Sequence, residues 1–208
     1  MDTPSIARLL EPYIQLDESQ LPAISKYIDL LLKWNARINL TAIREPEEIV
    51  QRHFGESFFA ASHILAMGEI WTAIDLGSGA GFPGVPFAML APQVSVTLIE
   101  AHQKKATFLR ELVFSLGLKN IKVFSDRGEK YPDRADIVTM RAVESFEDAL
   151  PVAVNLVDIS GKVALLIGSS QVEAAEKLCN SVKWENPLGV PRSDFRTLLI
   201  GTKMVKVG

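Results

Sequence analysis

The sequence predicts an α/β protein in which a mostly parallel sheet is covered by helices and preceded by a helical segment. Residues 1–70 contain apolar residues at helical spacing, for example between Leu21 and Leu32. From Trp71 onward, short apolar runs alternate with helical patterns, which is typical of parallel strands joined by helices. A glycine-rich turn follows the first of these runs. We therefore expect an N-terminal helical cap over residues 1–70 and a core over residues 71–208, packed as one compact unit.

Three helices are expected in the cap. The first covers residues 21–32 and has Ser19 as its N-cap, because the proline that follows is tolerated only in a first turn. The second covers residues 46–53. The third covers residues 56–67 and ends at Gly68, a residue type common at helix C-termini.

Five parallel strands and one antiparallel terminal partner are expected in the core. The runs that predict the parallel strands are residues 73–76, 94–100, 121–124, 135–140 and 163–167. Helices are predicted over residues 102–116 and over residues 146–157, where Pro151 should introduce a kink. A further helix is expected near residues 172–179, and residues 195–205 predict the terminal partner.

The composition is that of an ordinary soluble globular protein, with 208 residues of which 48% are hydrophobic and 23% charged. The formal net charge of −3 provides no broad attraction for nucleic acid, so any such binding must use a local patch. A single cysteine, Cys179, excludes a disulfide framework and fits a reducing compartment. The sequence contains no signal-peptide pattern and no apolar run long enough for a membrane span. We expect a cytoplasmic, monomeric protein without a metal site.

The turn after the first strand indicates a nucleotide-type cofactor site. It reads DLGSGAGFPG from Asp75 to Gly84, and its glycines permit positive φ angles and a close approach to a ligand. The spacing of Gly79, Gly81 and Gly84 formally fits the dinucleotide fingerprint, so a nicotinamide-dependent oxidoreductase is one alternative. The pattern D-x-G-x-G-x-G instead resembles motif I of the S-adenosylmethionine-dependent methyltransferases. In that case Asp75 would face a cationic ligand rather than a pyrophosphate.

Further candidate residues follow the next strands. Glu100 ends the second strand, where its carboxylate could accept hydrogen bonds from ribose hydroxyls or simply cap the next helix. Ligands of open α/β sheets bind beyond the carboxyl ends of the strands, so residues 77–81, Glu100 and the loop 126–129 should converge. In methyltransferases the loop after the third strand holds the adenine ring, and Asp126 and Glu129 are the acids available to its exocyclic amine.

A wider set of residues resembles one known family. The set consists of Asn39-Leu40-Thr41 with Arg44, Arg52-His53 with Ser57, the run DLGSGAGFPGVP, Lys104-Lys105 with Phe108-Leu109, Arg127-Gly128-Glu129 and Arg141-Ala142. These residues are similar to the glucose-inhibited division protein B family, the bacterial small-subunit ribosomal RNA methyltransferases that act on a guanine N7. The FPGVP run is much more specific than the glycines alone.

The resemblance implies a Rossmann-like class I methyltransferase fold with a seven-stranded sheet, and S-adenosylmethionine as the cofactor. The residues assigned to the cofactor, by the motif and the resemblance together, are Asp75, Gly77, Gly79, Gly81, Phe82, Glu100, Gly128, Glu129 and Arg141. The resemblance also indicates that Arg127 and Arg141 are important for activity. The candidate contacts to the substrate RNA are Arg37, Arg44, Arg52, His53, Lys104 and Lys105.

The chain departs from the family pattern in two places. It has Ile167-Gly168 where the family usually has Lys-Gly, and it has Gly55-Glu56 where the family usually has an aspartate nearby. The first departure removes a cation expected beside the path of the substrate. This missing cation therefore affects the expected affinity for RNA.

The residues available for chemistry agree with methylation of guanine N7. Methylation of pyrimidine C5 needs a cysteine nucleophile, whereas Cys179 is predicted on an apolar helix face. Methylation of the adenine amino group usually goes with an Asn/Asp-Pro-Pro-aromatic box, where this chain has Thr139-Met140-Arg141-Ala142. Guanine N7 carries an exposed lone pair and no proton, so the reaction needs positioning and no general base. A cofactor-binding module without catalysis is the non-enzyme alternative.

Overall fold

A computed structural model describes residues 1–205 of the protein. Helices dominate its first 70 residues. They are α1 Thr3–Leu10, a 3₁₀ turn Glu18–Gln20, α2 Leu21–Asn35, α3 Pro46–Glu48, a π-helical segment Ile49–Gly55 and α4 Glu56–Ala66. The last three follow one another without a break, so the two helices predicted in this region form one continuous helical stretch. Residues 206–208, the end of the predicted core, lie outside the described residues.

Strands and helices alternate in the core. The strands are β1 Thr72–Leu76, β2 Ser95–Ile99, β3 Ile121–Phe124, β4 Ala135–Arg141, β5 Val157–Gly168, β6 Val182–Trp184, β7 Leu188–Gly189 and β8 Arg196–Lys203. The helices are α5 Gly84–Leu90, α6 Gln103–Leu116, α7 Phe146–Leu156 and α8 Val172–Leu178, with 3₁₀ turns at Gly128–Lys130 and Ser169–Gln171.

The strands form one sheet with the spatial order β3-β2-β1-β4-β5-β8-β6, and the two-residue β7 pairs with β8. The first five strands are mutually parallel, and β8 runs antiparallel to β5 and β6. Leu76 at the end of β1 lies opposite Ile99 of β2 and Met140 of β4. The carboxyl ends of the central strands therefore meet at one edge of the sheet, which we call the carboxyl edge.

Three local predictions differ from the structure. Asp17, and not Ser19, caps the turn before α2, because the Asp17 side chain accepts a hydrogen bond from the Ser19 N–H at 2.8 Å. β5 begins at Val157, directly after α7, which is six residues earlier than predicted. β8 is a single strand from Arg196 to Lys203, because β5 pairs with its residues 196–202 and β6 pairs with its last three residues, 201–203.

Helices cover the sheet on both faces. One face, which includes Leu166, packs in the same hydrophobic cluster as Phe58 of α4 and Leu109 of α6. The opposite face, which includes Leu165, packs against α7 through residues such as Leu150. The helical cap therefore contributes to the core on one side of the sheet. Within residues 1–205, no helix combines the length and the apolar character needed to cross a membrane.

Candidate active site

A pocket opens at the carboxyl edge, beside the ends of β1 and β2. Its volume of about 290 Å³ lies near the lower end of the range for small-molecule sites, about 300–1,000 Å³. The lining residues come from two strand ends, the loop after β3 and the start of α7: Leu76, Gly77, Ile99, Ala101, Asp126, Arg127, Gly128, Glu129, Val143, Ser145, Asp148, Ala149 and Val152. Five of the candidate residues named from the sequence are among them, namely Gly77, Asp126, Arg127, Gly128 and Glu129.

The glycine-rich loop is held against β2 by hydrogen bonds. The N–H of Gly77 donates to the carbonyl oxygen of Ile99 at 2.9 Å. Gly77 has a φ of 71° and Gly81 a φ of 95°, which residues with a side chain rarely adopt. A Cβ at Gly81 would also collide with the hydroxyl of Tyr27. Gly79 and Gly81 therefore shape the loop behind the lining of the pocket, and their contact with the cofactor stays a prediction.

Asp75 lies inside the protein, which corrects the prediction that it faces a cationic ligand. Its carboxylate accepts hydrogen bonds from the Gly84 N–H at 3.1 Å and from the Thr139 hydroxyl at 2.9 Å. Burial raises the pKa of Asp75 to about 6. The Gly84 N–H belongs to the first turn of α5, so a carboxylate already occupies the place where a dinucleotide fold binds a pyrophosphate. This geometry argues against the nicotinamide alternative.

Glu100 joins the glycine-rich loop to the start of α6. Its Oε2 accepts a hydrogen bond from the Gly79 N–H at 2.9 Å, and its Oε1 accepts one from the His102 N–H at 2.7 Å. The side chain is buried, whereas its sequence neighbours Ile99 and Ala101 line the pocket. The bond to His102 fits the helix-capping alternative. Each oxygen retains a second lone pair, so the contact with ribose hydroxyls stays a prediction.

The loop after β3 forms the facing wall of the pocket. Asp126 accepts hydrogen bonds from the backbone N–H of Arg127 at 2.8 Å and from the Lys130 ammonium at 3.0 Å. These two contacts hold the pKa of Asp126 below its usual value. Gly128 is buried at the start of the 3₁₀ turn, and Glu129 beside it is exposed. Two carboxylates and apolar walls thus surround a slot that suits a flat, amine-bearing ring such as adenine.

A comparison with protein families decides which class of site this is. The model of the GidB family, described as rRNA small subunit methyltransferase G, matches residues 20–190 of the chain. The chain belongs to the GidB family. This result confirms the family predicted from the sequence, and with it the predicted enzyme class, a methyltransferase of small-subunit ribosomal RNA.

Individual relatives and solved structures agree with this assignment. A ribosomal RNA small subunit methyltransferase G from Neisseria meningitidis serogroup B is 37% identical over 170 residues, which covers 81% of each chain. One from a Roseiflexus species is 35% identical and covers 92% of this chain and 86% of the relative. Two solved structures share the fold and confirm the predicted fold class. They are a ribosomal protein L11 methylase from Lactobacillus delbrueckii (TM-score 0.62, 18% identity, 74% and 79% of the chains covered) and a SAM-dependent methyltransferase from Aquifex aeolicus (TM-score 0.59, 15% identity, 85% and 98% covered).

Arg141 of this GidB protein lies behind the pocket, at the end of β4. Its guanidinium forms an ion pair with Glu56 at 3.0 Å and donates a hydrogen bond to the carbonyl oxygen of Arg52 at 2.6 Å. Burial lowers the pKa of Arg141 to about 10, and the carboxylate of Glu56 opposes that shift. Arg141 therefore links β4 to the helical stretch that contains Arg52 and Glu56, and its contact with the cofactor stays a prediction.

Phe82 is buried among aromatic side chains, and its contact with the cofactor stays a prediction. Its ring stacks on Tyr27 and on His53, with centroid distances of 5.0 and 4.8 Å, because an apolar ring is stabilised by burial between other rings. His53 is hydrogen-bonded to the hydroxyl of Thr41 at 2.7 Å, and its pKa is lowered to about 3, mainly by burial. His53 is thus a packed residue whose ring is neutral near pH 7, and its contact with RNA stays a prediction.

The remaining predicted RNA contacts lie on the surface. α2 and α6 run antiparallel, with the Trp34 indole N–H donating to Glu111 at 3.1 Å, so the end of α2 lies near the start of α6. Within residues 1–205, four of the predicted cations have no carboxylate within ion-pair distance: Arg37, Arg44, Lys104 and Lys105. Arg52 is half-exposed and pairs with Glu48 at 3.5 Å.

Two charged residues of the site are not assigned by the sequence. Glu56 pairs with Arg52 at 3.3 Å as well as with Arg141, and the four-residue spacing of Arg52 and Glu56 on a helix is the signal that could have identified the first pair. Arg196 begins β8 opposite Gly168 of β5, and its positive charge contributes to the lowered pKa values of His53 and Arg141. The position of Arg196 near Arg141 depends on the pairing of β5 with β8, which no local sequence pattern reveals.

Proposed function

We propose that this protein transfers a methyl group from S-adenosylmethionine to N7 of one guanine in small-subunit ribosomal RNA. Membership of the GidB family supports the cofactor, the methyl transfer and the RNA substrate. The structural observation that carries the proposal is the pocket in which Gly77 meets Gly128 and Glu129 at the carboxyl edge.

The adenine ring of the cofactor is assigned to the slot between the loop after β3 and the apolar side chains of Leu76 and Val152. Glu129, which is exposed there, would accept a hydrogen bond from the exocyclic amine. The methionine end would then lie near Gly77, at the ends of β1 and β4. Glu100 fixes the loop that carries Gly77 and is close enough in sequence to the lining residues to reach a ribose hydroxyl.

The side chains around the site suit a reaction that removes no proton before methyl transfer. Guanine N7 attacks the methyl carbon with its own lone pair, so the protein needs to align the two atoms and exclude competing orientations. The ring of His53 is stacked on Phe82. Holding the reactants in line can contribute up to roughly 7–11 kcal/mol in favourable cases.

The two candidate arginines are given different roles. Arg127 lines the pocket and is exposed, so its guanidinium can hold a phosphate or the O6 atom of the guanine. Arg141 is a positioning residue, since it holds the backbone of Arg52 and pairs with Glu56 inside the protein. Arg52 has an exposed face and would contact RNA directly, together with the unpaired cations near the start of α6.

The test is chemical cleavage at 7-methylguanosine. Ribosomal RNA from cells that lack this gene is treated with borohydride and aniline, before and after the gene is restored. We expect one cleavage in the small-subunit RNA that appears only with the restored gene. If restoring the gene adds no cleavage, the assignment to guanine N7 is wrong even when the protein binds the cofactor.

Two arginine variants make this test specific for the site. Arg127→Ala should lose at least about tenfold in the rate of methylation, because a charge-assisted contact contributes roughly 1.5–3 kcal/mol. Arg134→Ala is the matched control, since Arg134 is exposed in the turn before β4 and donates to the carbonyl oxygen of Asn155. Equal rates for the two variants would contradict the role given to Arg127.

A further inference from the structure

An exposed phenylalanine lies at the carboxyl edge, in the loop before β8. The side chain of Phe195 is 76% exposed. The loop around it is nevertheless held by hydrogen bonds: the Arg196 N–H donates to the Ser193 hydroxyl at 3.1 Å, and the Ser169 N–H donates to the Phe195 carbonyl oxygen at 2.9 Å. A fixed backbone therefore presents an aromatic ring to solvent beside the end of β5.

The sheet register places this loop next to the site. Arg141 of β4 lies opposite Leu166 of β5, and Gly168, two residues further along β5, lies opposite Arg196 of β8. Residues 166 and 168 of one strand face the same side of the sheet, so Arg141 and Arg196 share a face. The charge of Arg196 acts on Arg141 and His53, as expected from this placement.

The loop also carries positive charge that no protein carboxylate neutralises. Among the described residues, neither Arg192 nor Arg196 has a carboxylate within 4.0 Å, although Asp194 is located between them in the sequence. Arg52 and Arg141 differ in this respect, because both pair with Glu56. Two guanidinium groups, which precede and follow Phe195 in the sequence, are therefore available to bind phosphate oxygens.

We propose that Phe195 stacks on an unpaired base of the RNA close to the methylated guanine, while Arg192 and Arg196 bind the adjoining phosphates. This proposal rests on the proposed function. Proteins bind single-stranded RNA by combining aromatic rings, on which bases stack, with cations that follow the backbone. A protein partner would favour a contiguous apolar patch, whereas the loop neighbours of Phe195 are polar or charged. The loop thus provides part of the local patch that a chain of net charge −3 requires.

The first experiment measures methylation kinetics on small ribosomal subunits from cells that lack the gene. Phe195→Ala should raise KM for the subunits by about five- to a hundredfold, which corresponds to the loss of one base–aromatic stack. The value of kcat and the calorimetric affinity for S-adenosylmethionine should stay within about twofold of wild type, on the usual expectation for loss of uniform binding. Phe195→Tyr keeps the aromatic ring and should behave like wild type.

The matched control is Phe114→Ala. Phe114 is 88% exposed and lies near the C-terminal end of α6, at the edge of the sheet opposite the pocket. It should leave KM unchanged. Equal KM values for wild type and Phe195→Ala, in an enzyme that does methylate guanine N7, would overturn this proposal and leave the proposed function in place. A wild-type protein that transfers no methyl group to N7 would instead refute the proposed function, and this proposal with it.

The second experiment does not depend on activity. A photoreactive p-benzoylphenylalanine is introduced at position 195, and in a separate sample at position 114. Irradiation with the small subunits should crosslink position 195 to ribosomal RNA within a few nucleotides of the methylated guanine, and position 114 should give no such product. A crosslink from position 195 to a ribosomal protein and not to RNA would show that the ring contacts protein, and the proposal would be wrong.

Discussion

The ion pair between Glu56 and Arg141 gives the sharpest prediction, because it is buried and connects the cap to the sheet. The exposed fractions of the two side chains are 2% and 6%, and their charged groups are 3.0 Å apart. The same carboxylate also reaches the Nε of Arg52 at 3.3 Å. Glu56→Gln preserves the size of the side chain and removes the only carboxylate within ion-pair distance of Arg141 among residues 1–205.

The expected loss is that of an uncompensated buried charge. Removing one partner of a buried pair destabilises a protein by about 3–5 kcal/mol, since the remaining charge stays out of water. For a chain of this length, 1 kcal/mol shifts Tm by roughly 2–4 °C, so Tm should fall by about 6–20 °C. The hydrogen bond from Arg141 to the carbonyl oxygen of Arg52 is retained, which favours the lower part of that range.

Urea denaturation followed by circular dichroism measures this loss, and two further variants test its cause. Glu48→Gln is the control, because Glu48 also pairs with Arg52 but is 47% exposed, and it should cost at most about 1 kcal/mol. The double variant Glu56→Gln/Arg141→Met removes both charges and should be more stable than Glu56→Gln alone. A Glu56→Gln loss below about 1 kcal/mol, or strictly additive losses in the double variant, would refute this reasoning.

Three other predictions concern titration and cofactor binding. Burial raises the pKa of Asp75 from 3.8 to about 6, so its contribution to stability is lost as pH rises through 6. Between pH 4 and 7, Asp75→Asn should remove up to about 3 kcal/mol of the change in the free energy of unfolding. The same dependence of this free energy on pH in the variant and in wild type would contradict the prediction. Burial lowers the pKa of His53 from 6.5 to about 3, so stability is lost as pH falls from 6.5 toward 3. His53→Gln should abolish a slope of about 1.4 kcal/mol per pH unit in the free energy of unfolding, measured by the same experiment. An unchanged slope would show that other groups cause the pH dependence. Glu100→Ala leaves the N–H groups of Gly79 and His102 without their acceptor. Calorimetry should show that the variant binds S-adenosylmethionine at least tenfold more weakly, a loss of about 1.5–3 kcal/mol. An unchanged Kd would leave Glu100 with a helix-capping role alone.

Most elements of the core are predictable because each buries a face whose period is visible in the sequence. The runs at 73–76 and 121–124 match β1 and β3 to within one residue, although Lys122 of the edge strand β3 is exposed. The strands β6 and β7, of three and two residues, are too short to show such a period and are not predicted from the sequence. The predicted end of the helix at residue 116 is matched because Gly117 has a φ of 67°. Pro151 does not interrupt α7, although it is inside the helix.

The directions of the polar side chains are much harder to predict. Asp75 and Glu100 follow apolar runs at strand ends, where the sequence suggests contact with a ligand. Both carboxylates turn instead toward backbone N–H groups of the glycine-rich loop and the following helices. The residues that donate these hydrogen bonds lie up to 21 positions away in the sequence. A buried N–H group without an acceptor would destabilise the fold, so the carboxylates are drawn toward these donors. Their positions depend on the folded geometry of the loop, which no local pattern specifies.

The contacts of Arg141 within the protein support the positioning role that we propose for it. The resemblance to the family marks it as important, and the structure shows it bonded to Glu56 and to the backbone of Arg52. The π-helical segment that contains Arg52 also contains His53, whose ring stacks on Phe82 of the glycine-rich loop. A loss of Arg141 would therefore be transmitted both to Arg52, the cation proposed to contact RNA, and to the glycine-rich loop beside the pocket. Reduced methylation in Arg141→Ala identifies a positioning effect only when the unfolding free energy and the cofactor affinity are measured on the same variant, because the buried carboxylate of Glu56 is left without its partner.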